Sequence, residues 1–527
     1  MVLPLFFAIV LLVVLLLALY ARWNYGVLET LNIPVVKPHF LLGSAFQYRN
    51  MITGYRDIEL MKQYGQVFGL YSGREPQVYI CDPELLRLIM VKDSSYFDGK
   101  SRLDFGDAFL NEMPDYLPGE KWRIVRSITS PAFSSAKLRL MNFPMKDSLT
   151  EFIHEFKMKV ENTTDSLLQK CNIDDVLFKG LTDLTLRCLF SITDKTERFP
   201  KLLKKFAKPE GLEYETLNHL ALSFPFLYNF LPLSLLHPQP AQEFMEIMEN
   251  LIDTRLKTQT ENKTSAPDVV DICIEQLKKL ETPEYKNAKI TKETILFQAF
   301  NFFFSGQDET ALVISAMIYH ISKSPEIQEK LYQEVDKLWE SSEDGQLPRE
   351  KLLEAEYLQA CINEALRMYT FYHTERVCTK DWFCEKYNFK IPKGMTVIVS
   401  LWPANRNPDY FENPMEFDPE RFMSGNKEKL HPYAWSPFGH GNRHCTGKPL
   451  AMEVFRYACA YLFKEFQYPS LTRDTLTPYL TSLIPDRNSP SARPVNHHRT
   501  EKPTHAETDP PQEISLTRAH LFLDVLV

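Results

Sequence analysis

The sequence lacks any cysteine pair at the Cys-x-x-Cys spacing, and its nine cysteines are scattered between positions 81 and 459. Zinc sites and small disulfide frameworks use closely spaced cysteines, so we predict neither. An odd number of scattered cysteines is typical of a cytosolic environment, where thiols stay reduced. The chain also lacks excess positive charge, since its formal net charge is −8. That balance disfavours a nucleic acid as partner of the whole molecule.

Charged side chains are absent from the first twenty-one residues, MVLPLFFAIVLLVVLLLALYA. As a helix, this run is long enough to cross the roughly 30 Å hydrocarbon core of a bilayer. A cleaved signal peptide has a basic start and an apolar stretch of about 7–15 residues, so we expect an uncleaved anchor instead. Arg22 follows with no basic residue before the run, which predicts that the following domain faces the cytosol.

No compositional break or internal repeat divides residues 46–487, which predicts one large domain. Residues 22–45 form a connector in which Pro34 and Pro38 prevent a continuous helix. Residues 488–527 are rich in proline and polar side chains, so we expect a disordered tail.

Long helical patterns dominate the middle of the chain, and one continuous helix is predicted from about Thr291 to Ser322. A second helix begins with Ser324 as cap and Pro325 in the first position, and a third covers EAEYLQACINEALRMY. Short β-like runs lie between Val377 and Pro403. The predicted fold class is therefore mainly α with a smaller β portion.

Glycine is sparse, with 18 in 527 residues, yet three glycines surround Cys445 in FGHGNRHCTG. Glycines let the backbone bend sharply and approach a ligand, so amide N–H groups can face a thiolate. Arg443 supplies a cationic fork suited to a carboxylate. A thiolate beside a carboxylate-binding arginine fits iron protoporphyrin with its propionates. The alternative is a glycine-rich turn around a buried cysteine.

This segment resembles the haem-binding signature of the cytochrome P450 family, F-x-x-G-x-R-x-C-x-G. The resemblance implies the P450 fold and makes Cys445 the axial ligand of the iron in haem b, a ligation that favours O–O cleavage. It assigns five further residues of the segment to cofactor binding: Phe438, Gly439, Gly441, Arg443 and Gly447.

Two more motifs resemble the segments that support the haem-binding loop in this family. Glu364 and Arg367 in NEALRMY, with Arg421 in FDPERF, match a buried network that supports the haem loop. Taken alone, the first two would be an ordinary surface ion pair. Thr370 stands where the family often has proline.

The segment WRIVR resembles the family's W-x-x-x-R motif, which implies that Trp122 and Arg126 reach a haem propionate. Arg376, in TERVCTKD, matches another propionate ligand, and arginine suits such bidentate contacts. In the absence of the other motifs, these residues would be charges on a helix surface.

The segment SGQDET resembles the family's oxygen-activating motif, with Ser305, Gly306, Gln307 and Asp308 in register. Glu309 stands where the family has threonine, and Thr310 follows one position later. The resemblance makes Asp308, Glu309 and Thr310 the candidates for catalytic proton delivery. Three interpretations stay open: a local bulge restores the roles of Glu309 and Thr310, Glu309 supplies the proton itself, or oxygen activation is impaired.

The run TERVCTKDWFCEKYNFKIPKG is similar to the animal microsomal branch, which includes the drug-metabolising enzymes and thromboxane synthase. That branch implies an endoplasmic reticulum monooxygenase that inserts one oxygen atom from O2 into a lipophilic small molecule. Electrons would come from NADPH through a diflavin reductase. The alternatives are an isomerase or dehydratase acting on peroxides without O2 or reductase, and a catalytically degenerate haem-binding protein.

Two surface features bear on membrane and partner. The apolar segment 217–240 is interrupted by prolines and is either a lid that dips into the bilayer or a buried core segment. Five basic residues form either a docking surface for the reductase or an ordinary solvated face. They are Lys121, Arg123, Lys137, Arg139 and Lys448.

Overall fold

Eighteen α-helices and six β-strands are found in the part of the chain that the computed structural model describes. The described residues are 2–49, 51–100, 111–114, 116–161, 173–194, 196–206, 212–229, 238–258, 268–342, 346–370, 373–466 and 468. The predicted tail at 488–527 and residues 230–237 of the predicted lid lie outside these residues.

Helices make up most of the described chain, as the sequence predicted. The first nine are α1 (Val2–Ala21), α2 (Thr53–Tyr64), α3 (Pro83–Arg87), α4 (Gly119–Thr129), α5 (Ser135–Glu161), α6 (Ile173–Thr185), α7 (Arg198–Phe206), α8 (Leu212–Ser223) and α9 (Pro238–Thr258). The others are α10 (Val269–Leu277), α11 (Pro283–Asn287), α12 (Lys292–Phe304), α13 (Asp308–Ser322), α14 (Pro325–Glu340), α15 (Arg349–Glu354), α16 (Glu356–Met368), α17 (Leu401–Asn405) and α18 (Lys448–Glu465).

The smaller β portion is a four-stranded sheet and a hairpin. The strands are β1 (Val67–Ser72), β2 (Glu75–Ile80), β3 (His373–Val377), β4 (Trp382–Cys384), β5 (Phe389–Ile391) and β6 (Thr396–Ser400). The sheet order is β1-β2-β6-β3, with β2 and β6 parallel and the other pairs antiparallel. All five residues of β6 are buried, as expected for a central strand rich in β-branched side chains. The predicted class, mainly α with a smaller β portion, is confirmed.

The long helix predicted from Thr291 to Ser322 is broken, so that prediction is wrong. Helix α12 ends at Phe304 and α13 begins at Asp308. Gly306 lowers helix stability by about 1 kcal/mol relative to alanine. The Ser305 hydroxyl also donates to the carbonyl oxygen of Asn301 at 2.7 Å, a local bond that competes with helical pairing. The predicted second and third helices are present as α14 and α16.

Helix α13 lies inside the helical part of the molecule, packed against α6, α14, α16 and α18. Its residues from Thr310 to Ile318 are all buried. Helix α18 begins three residues after Cys445 and packs against α5 and α14. The segment that carries Cys445 therefore leads directly into the first turn of a largely buried helix.

Helix α1 is long and apolar enough to cross a membrane, judged by length and composition. Its 19-residue window Leu3–Ala21 has a mean hydropathy of 3.0 and no buried residue in its most apolar part. At its end the Tyr20 ring stacks on Phe224, with ring centroids 6.1 Å apart. The guanidinium of Arg74 lies 4.1 Å from the centroid of the Tyr20 ring. The last turn of α1 thus contacts the segment that follows α8.

Candidate functional site

The cysteine loop, residues 438–447, has a backbone shape that requires glycine. Gly439 and Gly441 have φ values of 64° and 73°, in the left-handed region that other residues rarely adopt. A Cβ atom on Gly441 would lie 1.8 Å from the carbonyl oxygen of Met90, so no side chain fits there. The Cys445 N–H donates to the carbonyl oxygen of Phe438 at 2.8 Å and closes the loop.

Cys445 differs from the other cysteines in exposure. Of the eight cysteines that the structure describes, seven are buried and Cys445 is exposed. Burial raises the pKa of Cys273 to about 12 and that of Cys378 to about 11, so these thiols stay protonated. A Cβ atom on Gly447 would have the Cys445 Sγ as its nearest neighbour, at 4.0 Å, which leaves space beside the sulfur. An open thiol in a glycine cradle fits a metal cofactor bound through sulfur.

Two arginine side chains lie at this loop, Arg126 from α4 and Arg443 from the loop itself. The Arg126 Nη1 donates to the carbonyl oxygen of His444 at 2.7 Å, and it also contacts the Thr446 hydroxyl. The Arg443 guanidinium lies 4.2 Å from the centroid of the Trp122 ring. The structure thus brings Trp122, Arg126 and Arg443 together at the loop. A cationic and aromatic edge of this kind suits the propionates of a haem.

Arg376 lies elsewhere, on β3, and is 5% exposed. Its Nη1 donates to the Thr374 hydroxyl at 2.8 Å and to the Glu375 carbonyl oxygen at 2.7 Å. These contacts hold the guanidinium against its own strand. Its contact with a propionate stays a prediction.

The Glu364–Arg367 pair is fully buried, with both side chains 0% exposed. The guanidinium donates from Nε and Nη2 to the two carboxylate oxygens at 2.7 and 2.8 Å. The remaining donors meet the carbonyl oxygens of Asn405 and Pro414, each at 2.8 Å. Arg421 completes the network with its Nε 3.5 Å from the Glu364 carboxylate. This geometry is not that of a surface ion pair.

Thr370 is a residue whose role the sequence did not reveal. Its hydroxyl donates to the carbonyl oxygen of Pro437 at 2.9 Å, directly before the cysteine loop. The Trp402 Nε1 donates to the Thr370 carbonyl oxygen at 2.7 Å. Thr370 therefore ties the end of α16, which carries the buried ion pair, to the start of the loop. The only signal in the sequence was its departure from the family's proline.

The candidate proton-delivery residues occupy the first turn of α13. Thr310 is buried, whereas Asp308 and Glu309 are half-buried. Both carboxylate oxygens of Glu309 are buried, and within the described residues no hydrogen-bond partner is found for them. Burial, followed by the nearby charge of Asp308, raises the pKa of Glu309 to about 8. The Glu309 carboxyl is therefore mostly neutral at pH 7.

The five candidate docking cations are not equally available. The Lys121 ammonium pairs with Glu112 at 2.6 Å, and the exposed Arg123 pairs with Asp98 at 3.0 Å. Burial lowers the pKa of Lys137. Arg139 and Lys448 are exposed. Acidic neighbours thus offset part of the positive charge on this face.

Comparisons with known proteins agree with this geometry. A family model described as "Cytochrome P450" matches residues 33–486. Cytochrome P450 3A56 of Fundulus heteroclitus is 28% identical over 477 residues, which cover 88% of this chain and 92% of that protein. Cytochrome P450 3A18 of Rattus norvegicus is 29% identical over 466 residues, which cover 85% of this chain and 88% of that protein.

Proposed function

This chain belongs to the cytochrome P450 family, as a monooxygenase-type oxidoreductase of the animal drug-metabolising branch, and from that premise we propose its reaction. It inserts one oxygen atom from O2 into a lipophilic small molecule, with electrons from NADPH delivered by a diflavin reductase. The observation that carries the proposal is the exposure of the Cys445 thiol in its glycine loop. The other seven cysteines that the structure describes are all buried. The catalytic domain is proposed to span residues 46–487.

The residues around the loop fit a haem b group. The Cys445 sulfur would bind its iron, and Trp122, Arg126, Arg376 and Arg443 would hold its propionates. The remaining loop residues would line it at Phe438, Gly439, Gly441 and Gly447. When bound, the haem supplies the activation of O2, and the protein supplies orientation, electrostatics and the exclusion of water.

The chain's own residues then have distinct tasks. Gly441 fits only without a side chain, so the loop can pack closely against the backbone of Met90. The Thr370 hydroxyl holds the start of the loop to the end of α16, and the buried Glu364–Arg367 pair holds α16 to the backbone at Asn405 and Pro414. Because the loop is already held in place, neither ligand binding nor electron transfer requires its backbone to rearrange.

A lipophilic substrate is supported by the aromatic packing near the break between α12 and α13. Phe302, half-buried on α12, meets Phe133 edge-to-face with ring centroids 5.0 Å apart. Phe303 stacks on Phe244 with centroids 4.7 Å apart. Phe303 and Phe244 are fully buried in the core, so the half-buried Phe302 is the ring of this group that supports an apolar substrate surface.

We place the protein in the endoplasmic reticulum membrane, with α1 as a single anchor and the catalytic domain in the cytosol. The exposed apolar side chains of α1 support this, and so do Leu217 and Phe226, which are 41% and 42% exposed; the Phe226 ring lies 6.2 Å from that of Tyr20 at the end of α1. Removal of residues 1–21 should leave residual binding to lipid vesicles through this segment. Complete release into the soluble fraction would contradict the lid hypothesis but not the anchor.

The decisive experiment is the absorption spectrum of the reduced, carbon monoxide-bound protein. We expect the Soret band of thiolate-ligated haem in the wild type and its loss in Cys445→Ser. Cys459→Ser is the matched control, because Cys459 is fully buried and should leave the ligation unchanged. Reductase-dependent consumption of NADPH and O2 with substrate then separates a monooxygenase from an enzyme that rearranges peroxides.

A further inference from the structure

The end of the anchor helix α1 contacts the catalytic domain through residues that are distant in the sequence. The Tyr20 ring stacks on Phe224 with centroids 6.1 Å apart, and the Arg74 guanidinium lies 4.1 Å from the centroid of the same Tyr20 ring. Arg74 follows Gly73 in the turn between β1 and β2, and its N–H donates to the carbonyl oxygen of Leu222 at 3.4 Å. The sheet therefore contributes a positive charge at the point where α1 ends.

A second guanidinium, that of Arg22, belongs to the same surface. Its Nη1 donates to the carbonyl oxygen of Phe40 at 3.3 Å, and its central carbon lies 5.2 Å from the centroid of the Tyr25 ring. The hydroxyl oxygen of Tyr25 lies 3.4 Å from the carbonyl oxygen of Gly73, the residue before Arg74. Tyr25 thus connects the surroundings of the two arginines.

The length of α1 determines the depth of this surface in a membrane. Its 20 residues span about 30 Å, the thickness of the hydrocarbon core, so its last turn reaches the headgroup region. Tryptophan and tyrosine are enriched at that depth, and Trp23 is 77% exposed directly after Arg22. Phe40, which contacts Arg22, is 60% exposed. Exposed rings beside cations are typical of a surface that lies against lipid headgroups.

Few acids oppose the positive charge at the end of α1. Glu29 is the only acid among residues 1–49, and its carboxylate accepts a hydrogen bond from the Tyr71 hydroxyl at 2.7 Å. Glu75 follows Arg74 in the chain, but the two side chains form no salt bridge. Four basic residues follow α1 or contact its last turn, and within the described residues none of them forms a salt bridge. They are Arg22, Lys37, Arg49 and Arg74.

We propose that the arginines and aromatic rings at the end of α1 form a binding surface for phospholipids with anionic headgroups. This junction surface consists of Tyr20, Arg22, Trp23, Tyr25, Phe40 and Arg74. Guanidinium groups bind phosphate and carboxylate oxygens, and each basic side chain at an anionic membrane surface strengthens binding about five-fold. Because Arg74 belongs to the sheet, lipid binding also fixes how the catalytic domain lies on the membrane. The inference rests on the proposed anchor and not on the proposed reaction.

The lipid selectivity of the full-length, haem-loaded protein in phosphatidylcholine vesicles tests this proposal. Electron spin resonance compares how strongly the protein immobilises spin-labelled phosphatidylserine and spin-labelled phosphatidylcholine. We expect the wild type to select phosphatidylserine, and Arg74→Gln to lower that selectivity by up to about five-fold at low ionic strength. Arg74→Lys keeps the charge and should retain most of the selectivity. High salt should weaken the selectivity of the wild type, because exposed charges are screened.

Lys351→Gln is the matched control, because Lys351 is 53% exposed on α15 and its replacement changes the net charge by the same amount. This variant should keep the wild-type selectivity. Arg22 stays unchanged in every variant, since it also bears on the orientation of α1. An unchanged spectrum of the carbon monoxide complex shows that the variants are folded.

Equal immobilisation of the two labelled lipids by the wild type would overturn the proposal while leaving the anchor intact. Equal selectivity in the wild type and Arg74→Gln would do the same. Failure of α1 to insert into the vesicles would overturn the anchor and the junction surface together. None of these results depends on whether the protein oxidises a lipophilic substrate, so failure of the proposed reaction remains distinguishable.

Discussion

Replacing Arg367 with leucine tests whether the buried ion pair holds the fold around the cysteine loop. The substitution leaves the Glu364 carboxylate buried, and three backbone carbonyl oxygens lose a donor, those of Asn405, Pro414 and Glu416. Breaking a buried pair by removing one partner costs about 3–5 kcal/mol. That is a large part of the roughly 5–15 kcal/mol that stabilises a typical domain.

The chain offers a matched control in Lys351→Leu. Lys351 and Glu354 have the same three-residue spacing, but their side chains are 53% and 66% exposed. Exposed pairs contribute about 0–1 kcal/mol. The two substitutions therefore differ in burial while the helical geometry of the pair stays the same.

Thermal unfolding of the haem-loaded proteins measures the difference. A domain of this length has an unfolding entropy of about 0.9 kcal/mol per kelvin, so we expect Arg367→Leu to lower Tm by about 3–5 °C. Lys351→Leu should lower it by about 1 °C or less. The spectrum of the carbon monoxide complex should also show partial loss of thiolate ligation in Arg367→Leu alone.

Equal shifts in the two variants would refute the reasoning. If Arg367→Leu does not accumulate as folded protein, Arg367→Lys keeps the charge while losing the planar fork that reaches several acceptors. We expect an intermediate fall in Tm for that variant. A lysine protein as stable as the wild type would show that charge, and not the fork, holds the network.

Three further outcomes are expected. Gly441→Ala should lower haem retention and Tm, because its new side chain would clash with Met90. Gly394 is the control, since it also has a positive φ but has nothing within 4 Å of its Cβ position. Gly394→Ala should therefore cost only the backbone strain of about 1 kcal/mol. Thr370→Val loses the hydrogen bond to Pro437 and should cost about 0.5–1.5 kcal/mol in denaturant unfolding. Because the pKa of Glu309 is raised from 4.5 to about 8, the folded state binds an extra proton between these values. Wild-type stability should therefore fall as pH rises from about 4.5 to about 8 and then level off, and Glu309→Gln should flatten that dependence.

Local chemistry in the sequence was sufficient to predict the family, the fold class and the candidate ligand. A thiolate loop needs cysteine, glycines and an arginine within ten residues, so its pattern is readable without any distant contact. The apolar start of the chain and the strands after Val377 are also local patterns. Four motifs occur in the same order as in the family, which predicted that they belong to one domain.

Tertiary structure decided the features that depend on distant neighbours. A three-residue spacing puts Glu364 beside Arg367 whether the pair is buried or exposed, and only packing made both side chains inaccessible. The contact of Thr370 with Pro437 joins residues 67 positions apart. Periodicity predicted one helix across Gly306, since an apolar pattern does not register a break of three residues. That break, and the packing around it, determine that both carboxylate oxygens of Glu309 are buried.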